Sequence, residues 1–235
     1  MQPKAAINDF VIKFANVNGT GSASANGMFA KAIFRMGIPV SPRNIFPSNI
    51  QGLPTWYEVR ISQDGYLGRR GGIDMMVSVN PQSFAKDVGE VDPGGYMLYD
   101  STKPLDLRHV RRDIHYLGIP LTEMCLREYT DSRQRQLFKN VIYVGALSAL
   151  LNIDFAVLKD LVSEQFKGKE KLITPNIHAL EMGHQYASTH FECPLGIQLK
   201  AGEETPKHIQ EFDQILMDGN TATALGAVYA GATVA

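Results

Sequence analysis

Gly19, Thr20, Gly21 and Ser22 are the residues whose types and spacing point most directly to chemistry. They follow an apolar run at 9–15 (DFVIKFA) and precede a stretch, 23–36, with apolar side chains at Phe29, Ala32, Ile33 and Met36. That i, i+3, i+4, i+7 spacing predicts a helix, and the β-branched and aromatic run before it predicts a buried strand. Gly19 and Gly21 let the backbone take positive φ and approach a ligand closely, and Ser22 is placed to cap the helix. Free N–H groups and the positive end of the helix dipole then face one point, an arrangement that binds phosphate or diphosphate. A glycine-rich turn with no ligand is the competing reading. The frame is not a dinucleotide fingerprint: Ser24 stands where Gly-x-Gly-x-x-Gly needs its third glycine, and the chain at 40–44 (VSPRN) offers no acidic residue to read a ribose. No Gly-Lys-Ser/Thr follows either, so this is not an NTPase loop, and a nicotinamide-dependent dehydrogenase is the weakest functional reading.

Other reactive residue types are scattered. Cys125 and Cys193 form no Cys-x-x-Cys pair and support neither a metal nor a cluster on this chain. Cys125, among Glu123, Met124 and Leu126, reads as buried and inert. His178, His184 and His190 recur at a spacing that does not gather them on one helical face. Arg108, Arg111 and Arg112, beside Lys103, read as a solvated face more readily than as a dock for an acidic partner. Trp56 and Tyr57 read equally as core anchors or as a contact point for another chain.

These residues need a frame to hold them. Further strands are predicted near Val40 and at 56–62, 74–80, 95–99 and 114–121, with a helix opening at Pro81 and running to about Val88. The segment 65–72 (GYLGRRGG) reads as a flexible basic turn. Strands alternating with helical or turn segments give an α/β fold, a Rossmann-like and mostly parallel sheet with flanking helices. A helical segment follows from Thr130. Asp131 or Ser132 caps a helix reaching Leu151 that is too apolar for a free surface. Residues 154–166 carry an apolar stripe, and Thr174-Pro175 starts a long helix. The stretch 193–217 reads as a linker, and 221–235 as a small-residue, helix-capable piece that needs a cover.

Composition narrows the classes. The chain has 235 residues, 44% of them hydrophobic, enough for one large or two small domains. A formal net charge of −1 gives no bulk attraction to nucleic acid or to an anionic membrane. The longest apolar stretch, 141–151, is too short to span a bilayer, and the first ten residues lack a signal-peptide core. Two cysteines far apart in sequence suit a reducing, cytoplasmic setting.

Several phrases, taken in order, resemble the 2-oxoacid:ferredoxin oxidoreductase family. They are FVIKFANVNGTGSASANGMFAKA, TWYEVRIS, VNPQSFAKDVGEVDPGGYMLYD, KNVIYVGALSALLNIDF and the ending LMDGNTATALGAVYAGATVA. The likeness is to the gamma-type domain that some members carry at the front of the alpha subunit. Many relatives read GxGGQG at the glycine loop, where this chain reads GTGSAS. The resemblance implies residues 1–192 as the gamma-type domain, 193–217 as linker and 218–235 as the start of a truncated thiamine diphosphate domain.

The activity implied is the interconversion of a 2-oxoacid, 2-oxoglutarate foremost, plus coenzyme A with an acyl-CoA and CO₂. Thiamine diphosphate with Mg²⁺ and [4Fe-4S] clusters serve the complex from outside this segment, and ferredoxin takes the electrons. The partners implied are a beta subunit carrying thiamine diphosphate and an iron–sulfur cluster, in a dimer of alpha–beta units. This segment would supply subunit contacts and coenzyme A contact through Gly19, Thr20, Gly21 and Ser22. Arg60, with Arg69 and Arg70 behind it, is the cationic partner expected for the phosphates. The alternative is a stand-alone nucleotide- or coenzyme A-binding Rossmann-like module.

Overall fold

The β-branched and aromatic run after Asn8 forms the central strand of a six-stranded sheet. In the computed structural model, which describes residues 2–17, 19–46, 53–202 and 215–233, this strand is β2 (Asp9–Val17), preceded by the two-residue β1 (Ala6–Ile7). There follow α1 (Ser22–Arg35), β3 (Val40–Ile45), β4 (Pro54–Ser62), β5 (Ile73–Ser78), α2 (Phe84–Glu90), β6 (Val91–Asp100), β7 (His115–Ile119) and α3 (Leu121–Glu128). Then come α4 (Ser132–Leu150), α5 (Phe155–Gln165), α6 (Glu170–His190) and β8 (Ile197–Gln198). The chain divides into two compact units, Met1–Thr205 and Pro206–Ala235. The second contains α7 (Gly219–Tyr229), whose first turn is capped by Asp218 accepting from the Thr221 N–H at 2.9 Å.

The sheet order is β3-β4-β2-β5-β6-β7. Its β2-β5-β6-β7 half is parallel, as the alternation of strands and crossovers predicts. At the other end β4 runs antiparallel to both neighbours. The reason is the short connection at 46–53: it allows only a hairpin, so β4 folds back and inserts between β3 and β2. Phe10, Ile12 and Phe14 face a thick helical layer in which Phe14 meets Phe29 edge-on at 5.2 Å and Tyr143 at 5.8 Å. Val11, Ala15, Met76 and Met97 face a thinner layer built on α2. The alternation along β4 splits as the sequence implies, with Tyr57, Val59 and Ile61 in the first core. Burial of Glu58 and Arg60 on the second face was not legible, because it depends on what covers that face.

Several boundaries differ from expectation. The predicted strand 114–121 stops at Ile119; Pro120, which has no N–H to give a sheet, caps α3, a helix the apolar pattern did not reveal. α6 begins at Glu170, so Pro175 lies inside it rather than at its start, and the Asn176 amide donates 2.7 Å to the Leu172 carbonyl in that turn. The turn residues Asp92-Pro93-Gly94 lie within β6, where the pairing with β5 shifts register. The stretch read as linker opens with packed residues: the Leu195 and Leu199 N–H groups donate 2.8 Å each to the carbonyls of Leu150 and Leu151 at the end of α4. Residues 203–214 of that stretch lie outside the described residues. Among the described residues no helix is long and apolar enough to cross a membrane.

At the end of β6 the Asp100 carboxylate accepts from the N–H and hydroxyl groups of Thr102 and Thr122, with the Lys139 ammonium 3.6 Å away. Burial pushes this carboxyl up, but the hydrogen bonds and Lys139 outweigh it and hold it below the ordinary value. A carboxyl lowered in the folded state stabilises above the unfolded value and loses that contribution as pH falls through the folded one. Asp100→Ala should therefore cost roughly 2 kcal/mol at pH 7, and the gap from wild type should narrow below about pH 4. Urea midpoints across pH 2.5–7, on the order of one point per half unit, check this; a gap independent of pH would refute it.

Candidate functional site

The crossovers after β2 and β5 leave the sheet on opposite faces, α1 on the first core and α2 on the second. The crevice between their carboxyl ends is where an α/β sheet receives ligands. The glycine loop follows β2 at that edge, and its cleft opens on the side of β3 and β4 rather than of β5. Gly19 has φ 84° and Gly21 φ 78°, so the positive-φ expectation holds at both. Gly21, not Ser22, is the helix cap, and no side chain caps it; Ser22 is the first helical residue and is buried. The left-handed turn at Gly21 delivers the chain into the helix one residue earlier than the cap preference of serine suggests. The first N–H groups of α1 have no partner within the helix and are offered to the crevice.

Long-range contacts hold the loop from behind. The Asn140 amide on α4 donates 2.8 Å to the Thr20 carbonyl, and the Leu137 side chain fills the place a Cβ on Gly21 would take. The Thr20 hydroxyl donates 2.8 Å to the Val17 carbonyl. It is therefore a loop-closing group rather than the ligand donor expected of it. Beneath the loop the Tyr143 hydroxyl donates 2.7 Å to Asn26 Oδ1, and burial pushes that phenol far above its ordinary value. Beside it the buried Asn16 amide interacts with the Tyr143 oxygen, which acts against the effect of burial on that phenol. Asn16, Asn26, the loop and the ends of β3 and β4 enclose a cleft of about 220 Å³. Helix-terminal N–H groups behind two left-handed glycines form a site for an acceptor-rich, anionic group.

Arg60 is not at this cleft. It pairs in register with Val11, six residues before the end of β2, or roughly 20 Å from the loop at ~3.3 Å per residue. Its guanidinium is bound to Asp9 at 2.5 Å and to the Ile61 carbonyl. Arg70 is held by Asp74 at the same remote end, and Arg69 lies 3.9 Å from Glu58. Sequence alone could not see that β4 runs antiparallel, which carries the end of β4 away from the loop. Among the other candidates, Cys125 is buried, and burial raises its thiol to about 11. Arg108 pairs with Asp106, and Arg111 with Asp113 while also bonding the Val88 and Val91 carbonyls, so two of the three arginines in the basic cluster are internally matched.

Trp56 reaches the cleft from β4. Its indole N–H donates 2.8 Å to the buried Asp87, which also accepts from the Ser78 and Ser83 hydroxyls at 2.8 Å each. Burial raises the Asp87 carboxyl despite those three donors. The Lys86 ammonium sits 3.9 Å from the centre of the Trp56 ring. Trp56 thus anchors α2 to the sheet while forming part of the cleft wall. The sequence offered no signal for Asn16, Asn26 or Asn140, whose roles depend on elements far apart in the chain.

The family described as pyruvate ferredoxin/flavodoxin oxidoreductase matches residues 11–186, three quarters of the sequence. The chain belongs to that family. Subunit alpha of 2-oxoacid:ferredoxin oxidoreductase 2 from Aeropyrum pernix is 24% identical over 95% of this chain and 40% of its own length. 2-Oxoglutarate oxidoreductase subunit KorA from Mycobacterium tuberculosis is 22% identical over 96% of this chain and 37% of its own. This chain therefore spans about two fifths of those relatives. 2-Oxoglutarate synthase subunit KorC from Archaeoglobus fulgidus is 25% identical over 74% of this chain, and 88% of that shorter subunit is covered. In structure, 2-oxoglutarate:ferredoxin oxidoreductase from Magnetococcus marinus, solved with 2-oxoglutarate, coenzyme A and succinyl-CoA bound, superimposes with a TM-score of 0.81 at 25% identity, over 95% of this chain and 37% of that one. The pyruvate oxidoreductase subunit PORC of Thermotoga maritima shares the fold, with a TM-score of 0.60 at 21% identity, over 76% of this chain and 96% of that one.

Proposed function

We propose that this chain is the gamma-type front part of the alpha subunit of a 2-oxoglutarate:ferredoxin oxidoreductase, and that its glycine-loop cleft holds the diphosphate of coenzyme A. The observation carrying the second half is the cleft itself: Gly19, Gly21 and the start of α1 present backbone N–H groups at the carboxyl end of β2, facing the ends of β3 and β4. The match along nearly the whole chain to a 2-oxoglutarate enzyme supports the first half. On this reading residues 1–192 are the gamma-type domain, and 218–235 open the domain that contacts thiamine diphosphate with a beta subunit. The complex is a dimer of alpha–beta units in the cytoplasm, where free thiols such as Cys125 and Cys193 persist.

Thiamine diphosphate with Mg²⁺ supplies the decarboxylation in such a complex, and [4Fe-4S] clusters carry electrons to ferredoxin. The residues here fit neither group. Among the described residues no set of three His, Cys, Asp or Glu side chains could hold a metal, and Cys125 is buried apart from any thiol partner. The work of this chain is to bind and orient. Its loop fixes the anionic end of coenzyme A, and its helical layer keeps the loop rigid through Asn140 and Leu137.

The test is purification of the full-length gene product with its native partners, followed by assay. Coenzyme A-dependent ferredoxin reduction on 2-oxoglutarate, faster than on pyruvate, is the expected result. A lone chain with no such activity, still binding coenzyme A, would favour the stand-alone module instead.

A further inference from the structure

The glycine-loop cleft has two unlike walls. One is the loop and the start of α1. The other is the end of β3 and the start of β4, with Asn44, Phe46 and Trp56. No lysine or arginine is among its described lining residues, so a diphosphate there meets dipoles and amides but no full positive charge. At about 220 Å³ the cleft is also below the ~300–1,000 Å³ that encloses a whole small ligand. It has room for a diphosphate and one flat group, and a ligand must find its remaining affinity in that flat group.

The second wall is built for one. Phe10, Phe14 and Phe29 are fully buried, whereas Phe46 is 60% exposed at the cleft mouth. Tyr57 is buried and the Trp56 ring is already engaged by Lys86 and Asp87, so among the described lining residues Phe46 is the exposed ring. Two residues before it, Asn44 opposes Tyr57 across the sheet and is exposed, and its amide makes no hydrogen bond among the described residues. An asparagine amide offers a donor and an acceptor side by side, which match N7 and the N6 amine of adenine and oppose the O6 carbonyl of guanine.

We infer that Phe46 and Asn44 form a base-reading wall, and that the ligand class of this cleft is an adenine nucleotide carrying a diphosphate, with the base stacked on Phe46 and its edge read by Asn44. This rests on the assignment of the glycine loop to the diphosphate of coenzyme A and says where the adenine lies. Coenzyme A satisfies the chemistry through its own adenosine diphosphate part.

The experiment is calorimetric titration of the full chain with coenzyme A, ADP, GDP and inorganic diphosphate. Phe46→Ala should weaken coenzyme A and ADP about tenfold, the scale of one base–aromatic stack, and leave diphosphate unchanged. Phe46→Trp should retain wild-type affinity. Asn44→Ala should remove the preference for ADP over GDP. Both positions are exposed, so unchanged unfolding temperatures separate these effects from misfolding. If wild type binds coenzyme A and diphosphate but Phe46→Ala binds both equally well, the wall is wrong while the loop assignment stands. If wild type binds neither, the loop assignment falls and the wall with it.

Discussion

Gly183→Ala is expected to destabilise the protein by about 3 kcal/mol or more, the largest effect of any single methyl group added to the helical layer. Gly183 on α6 lies against the backbone of α4. A Cβ there would stand 1.9 Å from the Ile142 carbonyl oxygen and 2.8 Å from the Ala146 nitrogen. The fit is reciprocal, since a Cβ on Gly145 would stand 2.1 Å from the Leu180 carbonyl oxygen. Backbone atoms cannot turn aside as a side chain can, so the helices must separate. Separation would loosen Ile142, Tyr143 and Leu180, all buried in the same core. Because α4 also carries Asn140 and Leu137, the glycine loop should lose order along with the helix pair. Urea denaturation with Gly27→Ala as the control checks this. Gly27 lies inside α1 with open space at its Cβ, so that substitution should be neutral or stabilise by up to ~1 kcal/mol. Equal midpoints for the two variants would refute the close-packing argument.

Gly21→Ala is expected to lower coenzyme A affinity at least about tenfold while costing only ~1–2 kcal/mol of stability, the strain of an L-residue in the left-handed region. A Cβ at Gly21 meets the end of the Leu137 side chain at 2.4 Å, a flexible group that can rotate away. The fold therefore survives, but relieving φ 78° at the cap turns the first N–H groups of α1 off their common point. Gly19→Ala is the informative partner. It bears the same backbone strain at φ 84° but has nothing within 4 Å of its Cβ and does not cap the helix. Titration of both variants should show the larger loss at Gly21. Wild-type affinity in Gly21→Ala would mean that the loop does not hold the diphosphate.

The strand–loop–helix order at 9–36 was readable from local residues, because β-branching, glycine and 3.6-residue periodicity act within a dozen positions. The same holds for the cap Asp131, which accepts from the N–H group of Gln134. Periodicity failed where a proline gave two signals. Pro120 ended a strand by opening a helix, and Pro175 sat inside α6, contrary to its usual place at a start.

Local sequence therefore determined that the chain is an α/β protein with a left-handed glycine loop feeding a helix, since those features follow from the conformations single residues allow. Strand direction is different: β4 is antiparallel because of a short connection and the neighbours it pairs with, and no property of Arg60 announces this. That choice removed Arg60 from the cleft and brought Trp56 to it, while the α1 crossover runs β3 in the direction of β2 and so ends it beside the same cleft at Asn44 and Phe46. Tertiary packing likewise set Asn140 against Thr20 across 120 positions of sequence. Amides and rings from separate elements line one cleft only when long-range pairing places them together, and that placement is what folding, rather than composition, decided.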